Sequence, residues 1–113
     1  MHMGSLAIMG ANKPNNVVHI VINNGAHETV GGQPTVMASV DICKVAEGCG
    51  YPITLSASSF EELDTALAKA KSADRLCLIE VKCAIGAREN LGRPTTTPSE
   101  NKRCFMEYLN NNL

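Results

Sequence analysis

The chain has 113 residues and 44% hydrophobic content, which is enough for one domain with one core. Its formal net charge of −1 removes the basic field that nucleic-acid binding needs, and no apolar run approaches the roughly 20 residues of a membrane helix. Five cysteines (Cys43, Cys49, Cys77, Cys83, Cys104) form an odd set without a Cys-x-x-Cys pair. That argues against a disulfide framework or a tetrahedral zinc site, and for reduced thiols packed as small hydrophobes in a cytoplasmic protein.

Residues 6–11 read as the tail of a helix closed by Gly10, Asn12 and Pro14. They lack the charged lead of a signal peptide. Residues 1–5 before them read either as a vector scar or as native sequence. Residues 17–22 are an apolar, strand-forming run, the pattern of a buried parallel strand, bounded on both sides by an asparagine pair. Residues 25–39 follow as a loop with three glycines and one proline, too long for an idle connection and suited to binding. Asp41 can cap a helix over residues 42–48, with Ile42, Val45 and Ala46 at helical spacing and Gly48-Cys49-Gly50 ending it.

Residues 52–57 form a short second strand. Ser58 to Glu62 carries a capping box that opens an amphipathic helix to Ser72, with Phe60, Leu63, Ala66, Leu67 and Ala70 on one face. Residues 75–84 are the third strand, and residues 86–97 an irregular arm. Thr97-Pro98-Ser99-Glu100 is a second capping box with proline at the first helical position, starting a helix to about residue 109. Strands alternating with helices predict an α/β fold: a parallel sheet of three strands flanked by three to four helices. Three strands are few for such a sheet, so an edge is expected to stay open unless a partner covers it.

The chemistry concentrates where the first strand meets its loop. In open α/β sheets ligands sit beyond the carboxyl ends of the strands. Amide and backbone oxygens there suit Mg²⁺, a hard cation that shares its sphere with phosphate. Asn23 and Asn24 supply such amides, and Gly25 lets the chain turn tightly. A plain Asx turn ending the strand is the alternative. His27 and Glu28 open the loop, where a histidine can orient a substrate or move a proton; two solvated polar residues are the other reading. Gly31, Gly32 and Gln33 let backbone amides approach an anion, or simply loosen the loop. Arg88 and Arg93 in the arm can clasp a phosphonate, or serve as surface or subunit-interface charge. His19 reads as a hydrogen-bonded core histidine, and Glu80 and Lys82 as strand-end ion pairs.

Two long strings carry a resemblance: residues 23–35, and residues 86–98 with Leu78-Ile79-Glu80-Val81-Lys82 before them. From about Gly4 to Tyr108 the chain resembles the thiamine diphosphate-dependent decarboxylases, and among them the phosphonopyruvate-decarboxylating branch. The strand and its Asn-Asn are similar to the second half of the family's cofactor motif, which begins with Gly-Asp-Gly. No Asp occurs before Asp41, and only 23 residues precede Asn24. The resemblance therefore implies that residues 1–113 are one partial diphosphate-binding domain. The Gly-Asp-Gly and the pyrimidine-binding domain with its activating glutamate would lie elsewhere, in the same or another chain.

Carried over residue by residue, the resemblance implies that Asn24 and the Ala26 backbone oxygen hold Mg²⁺. Asn23, Asn24, Gly25, Ala26 and His27 would bind the cofactor, and His27 and Glu28 are candidate catalytic groups. Gly32, Gln33, Arg88 and Arg93 are candidates to meet the substrate, a small 2-oxo acid. The implied reaction converts 3-phosphonopyruvate to 2-phosphonoacetaldehyde and CO₂ in a homo-oligomer, with thiamine diphosphate as electron sink. Two other readings stand beside it: a sulfopyruvate decarboxylase-like subunit needing a partner chain, and a truncated, non-catalytic interaction module.

Overall fold

The computed structural model describes residues 3–112. Five helices and strands build the central layer and its covers: α1 (Gly4–Asn12), β1 (Val18–Asn23), α2 (Ile42–Gly48), and further along β4 (Ile53–Ala57) with α3 (Phe60–Ala73). Between β1 and α2 the chain forms a small ribbon, β2 (Ala26–His27) against β3 (Gln33–Pro34), with two short 3₁₀ turns. β5 (Cys77–Lys82) completes the sheet and α4 (Pro98–Asn112) ends the described chain. Of residues 1–5, Met1 and His2 lie outside the described residues, while Gly4 already belongs to α1.

The main sheet is parallel, in the order β1-β5-β4. β5 is central and covered on both faces, which explains its continuous apolar run: Leu76, Cys77, Leu78 and Ile79 are all essentially buried. Its register places Val18, Ile20 and Ile22 of β1 alongside Cys77, Ile79 and Val81 on one face. On that face α3 packs Ala66 and Ala70 over β5 and β4. On the other face Leu6, Ile42, Ala46 and Tyr51 pack against Leu78, with Val21 beside them. Among the described residues both outer strands keep an unpaired edge.

The local signals act as their chemistry requires. The Asp41 side chain accepts from the Lys44 N–H and caps α2. Ser59 caps α3, accepting from the Glu62 N–H, while the Glu62 carboxylate accepts from the Ser58 N–H at 2.6 Å. Thr97 and Glu100 close the same reciprocal pair at the start of α4.

Three expectations need correction. Gly10 does not end α1; the helix runs on to Asn12 and Lys13 caps it in the left-handed region, its N–H donating to the Met9 carbonyl. Gly10 is needed for closeness: a Cβ there would sit 2.0 Å from the Cys49 carbonyl oxygen. Phe60 is 87% and Leu67 39% exposed, while Leu63, Ala66 and Ala70 of the same helix pack on the sheet. Finally, residues 25–39 are not one irregular loop but carry the β2–β3 ribbon.

α4 stands apart from the core. None of its residues is buried, and Phe105, Met106 and Tyr108 are exposed. The radius of gyration, 16.5 Å, exceeds the roughly 13 Å of a compact domain of about 100 residues.

Candidate functional site at the carboxyl end of the sheet

β1 ends where its backbone pairing ends. The Asn23 carbonyl accepts from the Cys83 N–H at 2.9 Å, and beyond it the chain turns away. Two consecutive Asx turns make that corner. Asn23 Oδ1 accepts from the Gly25 N–H and Asn24 Oδ1 from the Ala26 N–H, both at 3.0 Å. Gly25 takes φ +69°, a left-handed conformation that suits glycine. The ribbon then closes the loop: the Thr35 N–H donates to the Gly25 carbonyl and the Gly32 N–H to the His27 carbonyl.

The ribbon turns one main-chain oxygen away from its own ladder. The Thr35 N–H bonds to the Gly25 carbonyl, so Ala26 and Pro34 face each other as a non-hydrogen-bonded pair and the Ala26 carbonyl points away from the β2–β3 ladder. This main-chain oxygen and the Asn24 amide oxygen sit two residues apart at the end of the same strand.

A cleft of about 790 Å³ opens there, lined by Asn23, Asn24 and Gly25 on one side and by Val40, Asp41 and Cys43, among others, on another. Its floor is the end of the central strand. Glu80 is 6% exposed there, and buried charge demands hydrogen bonds. Glu80 Oε1 accepts from Asn23 Nδ2 at 2.8 Å, and Oε2 from Ser56 Oγ at 3.2 Å. The expected ion pairs of Glu80 and Lys82 are therefore not formed; among the described residues the ion pairs are Lys44–Asp41 and Arg103–Glu107. The physical reason is position. The central strand puts Glu80 under its neighbours' polar side chains, while Lys82, two residues on, is exposed.

Glu28 also binds on two sides. Its Oε2 accepts from Asn24 Nδ2 at 2.6 Å, and its Oε1 from the Gly86 N–H at 2.8 Å. The arm thus begins beside the loop, and Arg88, two residues further on, has its backbone within about 7 Å of that point. Arg88 and Arg93 are both exposed, as are Gly32 and Gln33 at the ribbon's far end, and none of the four lines the cleft. His27 is half-buried in the ribbon opposite Gln33. His19 is satisfied as a core histidine: its Nδ1 lies 2.9 Å from the Tyr51 hydroxyl.

Burial, with the Glu80 charge as second cause, pushes the Cys43 thiol at the cleft wall up from its ordinary value. Burial likewise raises Cys77. All five cysteines are free. Asp41 at the rim is held below the usual carboxylate range, chiefly by the hydrogen bond from the Lys44 backbone.

The donor set decides which ion this corner fits. Among the described residues no group of three His, Cys, Asp or Glu side chains is arranged for a metal. The oxygens on offer are an amide and a backbone carbonyl, both neutral and hard. Such a pair fits Mg²⁺ only as part of a sphere completed by phosphate and water. Residues 1–81 match the family described as thiamine pyrophosphate enzyme, C-terminal TPP binding domain. The chain belongs to that family. Thiamine pyrophosphate is thiamine diphosphate, and the parallel α/β sheet is the fold expected of this domain.

Individual relatives narrow the comparison. The chain is 40% identical to the phosphonopyruvate decarboxylase of Streptomyces viridochromogenes over 96% of its own length and 28% of the relative's. It is 41% identical to that of Streptomyces hygroscopicus, over 96% and 27%. The sulfopyruvate decarboxylase subunit beta of Methanococcus maripaludis is 30% identical over 96% of this chain and 58% of that subunit. The chain thus spans under a third of the phosphonopyruvate enzymes it matches.

Sequence reasoning found the Asn-Asn corner of this thiamine diphosphate-binding domain but missed the supports of Glu80, Ser56 and Glu28. A Glu two residues before the strand end was the available signal for Glu80. No local signal pointed to the Glu28–Gly86 bond, which joins residues 58 apart.

Proposed function

We propose that this chain supplies the diphosphate-anchoring half of a thiamine diphosphate- and Mg²⁺-dependent decarboxylase that converts 3-phosphonopyruvate to 2-phosphonoacetaldehyde and CO₂. The observation that carries the reading is the corner at Asn24 and Ala26, which presents an amide oxygen and a carbonyl oxygen without a ladder partner at the carboxyl end of a parallel sheet. When bound, thiamine diphosphate supplies the electron sink for cleavage of the carbon–carbon bond.

The chain's residues do the holding. Asn24 and the Ala26 carbonyl meet Mg²⁺, and Asn23 and Gly25 shape the turn that places them. Glu80 fixes the Asn23 amide from below. His27, beside the corner, is the candidate to orient the 2-oxo acid or move a proton. Both oxygens of Glu28 are occupied, which suits holding over proton transfer. Arg88 and Arg93, exposed in the arm, are the candidates to offer guanidinium groups to the phosphonate, with Gly32 and Gln33 of the ribbon as further substrate candidates. The pyrimidine-binding half and the activating glutamate come from outside residues 1–113, in a longer form of the chain or in a partner. Assembly is homo-oligomeric, and the location is cytoplasmic, in keeping with five free thiols.

The test is substitution of the ligand. Asn24→Ala in the assembled protein is expected to abolish Mg²⁺-dependent binding of thiamine diphosphate, measured by calorimetry, and CO₂ release from 3-phosphonopyruvate. Unchanged binding would remove Asn24 from the metal site. The chain alone, given Mg²⁺ and thiamine diphosphate, is expected not to turn over. The specific alternative is sulfopyruvate, supported by the weaker similarity to the sulfopyruvate decarboxylase subunits. Faster CO₂ release from that substrate would favour it.

A further inference from the structure

Glu28 joins the Asn24 corner to the root of the arm, beyond the point where the β1–β5 pairing ends at Asn23 and Cys83. One carboxylate oxygen accepts from the Asn24 amide nitrogen at 2.6 Å, and the other from the Gly86 N–H at 2.8 Å. We propose that Glu28 is a positioning latch that couples the seating of the metal at Asn24 to the placement of the arm, residues 86–97. The inference rests on the reading of Asn24 as a metal ligand.

The argument begins with the amide. Asn24 Oδ1 already accepts from the Ala26 N–H, and its Nδ2 points at Glu28. Flipping the amide would set its oxygen against a carboxylate oxygen, so the acceptor–acceptor repulsion keeps Oδ1 on the side of Ala26. A hydrogen bond from Nδ2 to a charged oxygen also draws electron density onto Oδ1, which strengthens it as a donor to a cation. Glu28 therefore both aims and sharpens the ligand.

The second oxygen reaches across the chain. Gly86 adopts φ +116°, a conformation that L side chains rarely take, and an added Cβ there would meet nothing within 4 Å. The glycine is thus required by its backbone conformation, which presents the N–H to Glu28, and not by crowding. Both bonds use a separate oxygen of one carboxylate. A glutamine at 28 keeps one acceptor oxygen but turns an NH₂ toward a second donor, either Asn24 Nδ2 or the Gly86 N–H. Only a carboxylate holds both ends at once. A cation that pulls on Asn24 therefore also bears on the root of the arm that carries Arg88 and Arg93.

The experiment reads the Gly86 amide by hydrogen exchange in the assembled protein, with and without Mg²⁺ and thiamine diphosphate. The variants are Glu28→Gln, Glu28→Ala and Asn24→Ala. In both Glu28 variants exchange at Gly86 is expected to rise about tenfold, the scale of losing one charge-assisted hydrogen bond. Adding Mg²⁺ with thiamine diphosphate should slow that exchange in the unsubstituted protein and not in Glu28→Ala. The apparent Mg²⁺ affinity should fall in Glu28→Gln while kcat returns at saturating Mg²⁺, a split that general structural damage does not produce. Unchanged Gly86 exchange in both Glu28 variants would overturn the latch and leave the metal reading standing. Undiminished Mg²⁺ dependence in Asn24→Ala would instead remove the ligand, and the coupling with it. If Glu28→Ala fails to fold, Glu28→Gln alone decides the same question.

Discussion

The two faces of the sheet differ in how completely they are covered, and the site follows the difference. On one face α1 and α2 pack with Tyr51 and Leu78 into a cluster that extends to Val21 of β1. The Asn23–Glu80–Ser56 hydrogen bonds bind all three strands together at the carboxyl end of that face. On the other face α3 covers β4 and β5 only, and Val18, Ile20 and Ile22 of β1 stay exposed at 41%, 45% and 66%. Polar networks that orient a ligand need a rigid floor. The candidate site stands at the end of the strands where that floor is finished.

The strongest way to break this contrast is a pair of matched truncations. Ile79→Ala, at a fully buried position, is expected to cost about 2–5 kcal/mol by urea denaturation. Ile22→Ala in the same plane is expected to change stability by less than about 0.5 kcal/mol, as surface substitutions do. Comparable losses would show that β1's outer face is covered in solution. Next in size is Gly10→Ala, expected to cost about 1–3 kcal/mol by overpacking, because its Cβ would overlap the Cys49 carbonyl and drive α1 from α2. A neutral result would mean that the α1–α2 contact gives way easily.

A smaller effect separates the two capped helices. Ser59→Ala removes the cap of α3, which is packed on the sheet, and is expected to lower global stability by about 1 kcal/mol. Thr97→Ala removes the matching cap of α4, which buries no residue, and should reduce local helicity without moving the melting temperature. Equal shifts would tie α4 to the folding unit.

The smallest effect is with pH. Glu100 is held below its ordinary value of 4.5, first by the hydrogen bond from the Thr97 backbone and then by that from its side chain. A carboxyl lowered on folding stabilises above its unfolded pKa, and that contribution is lost as pH falls through the folded one. The first turn of α4 is therefore expected to fray below pH 4.5 while α3 persists, as read from the Glu100 amide by NMR. Fraying at neutral pH would show that the cap does not hold.

Much of this molecule was legible along the chain, for reasons that stay local. Caps at Asp41, Ser59 and Thr97 act within three residues of themselves, so their pattern is visible in any window that contains them. The apolar runs of β1 and β5 both marked parallel strands, but the run in β1 suggested burial where the structure makes it an edge strand with one exposed face, and it is β5 that is central and covered on both sides. The Asn-Asn-Gly corner was readable because Asx turns close over two residues. Less visible was the β2–β3 ribbon, whose strands are two residues each, too short for any periodicity to show. Phe60 misled because helical spacing reports which residues share a face, not which of them pack on the sheet.

By itself, then, the sequence determined the order and type of the main elements, the helix starts, and the amide-rich corner at the end of β1. Those rest on backbone conformations and hydrogen bonds between near neighbours. Only the tertiary structure decided what that corner leans on. Asn23 meets Glu80 across 57 residues, and Glu28 meets Gly86 across 58. Gly10 lies against the Cys49 carbonyl because two helices share one face of the sheet. Contacts of this kind depend on strand order and helix docking, which no local pattern encodes, and they turn an ordinary Asx turn into an aimed set of oxygens.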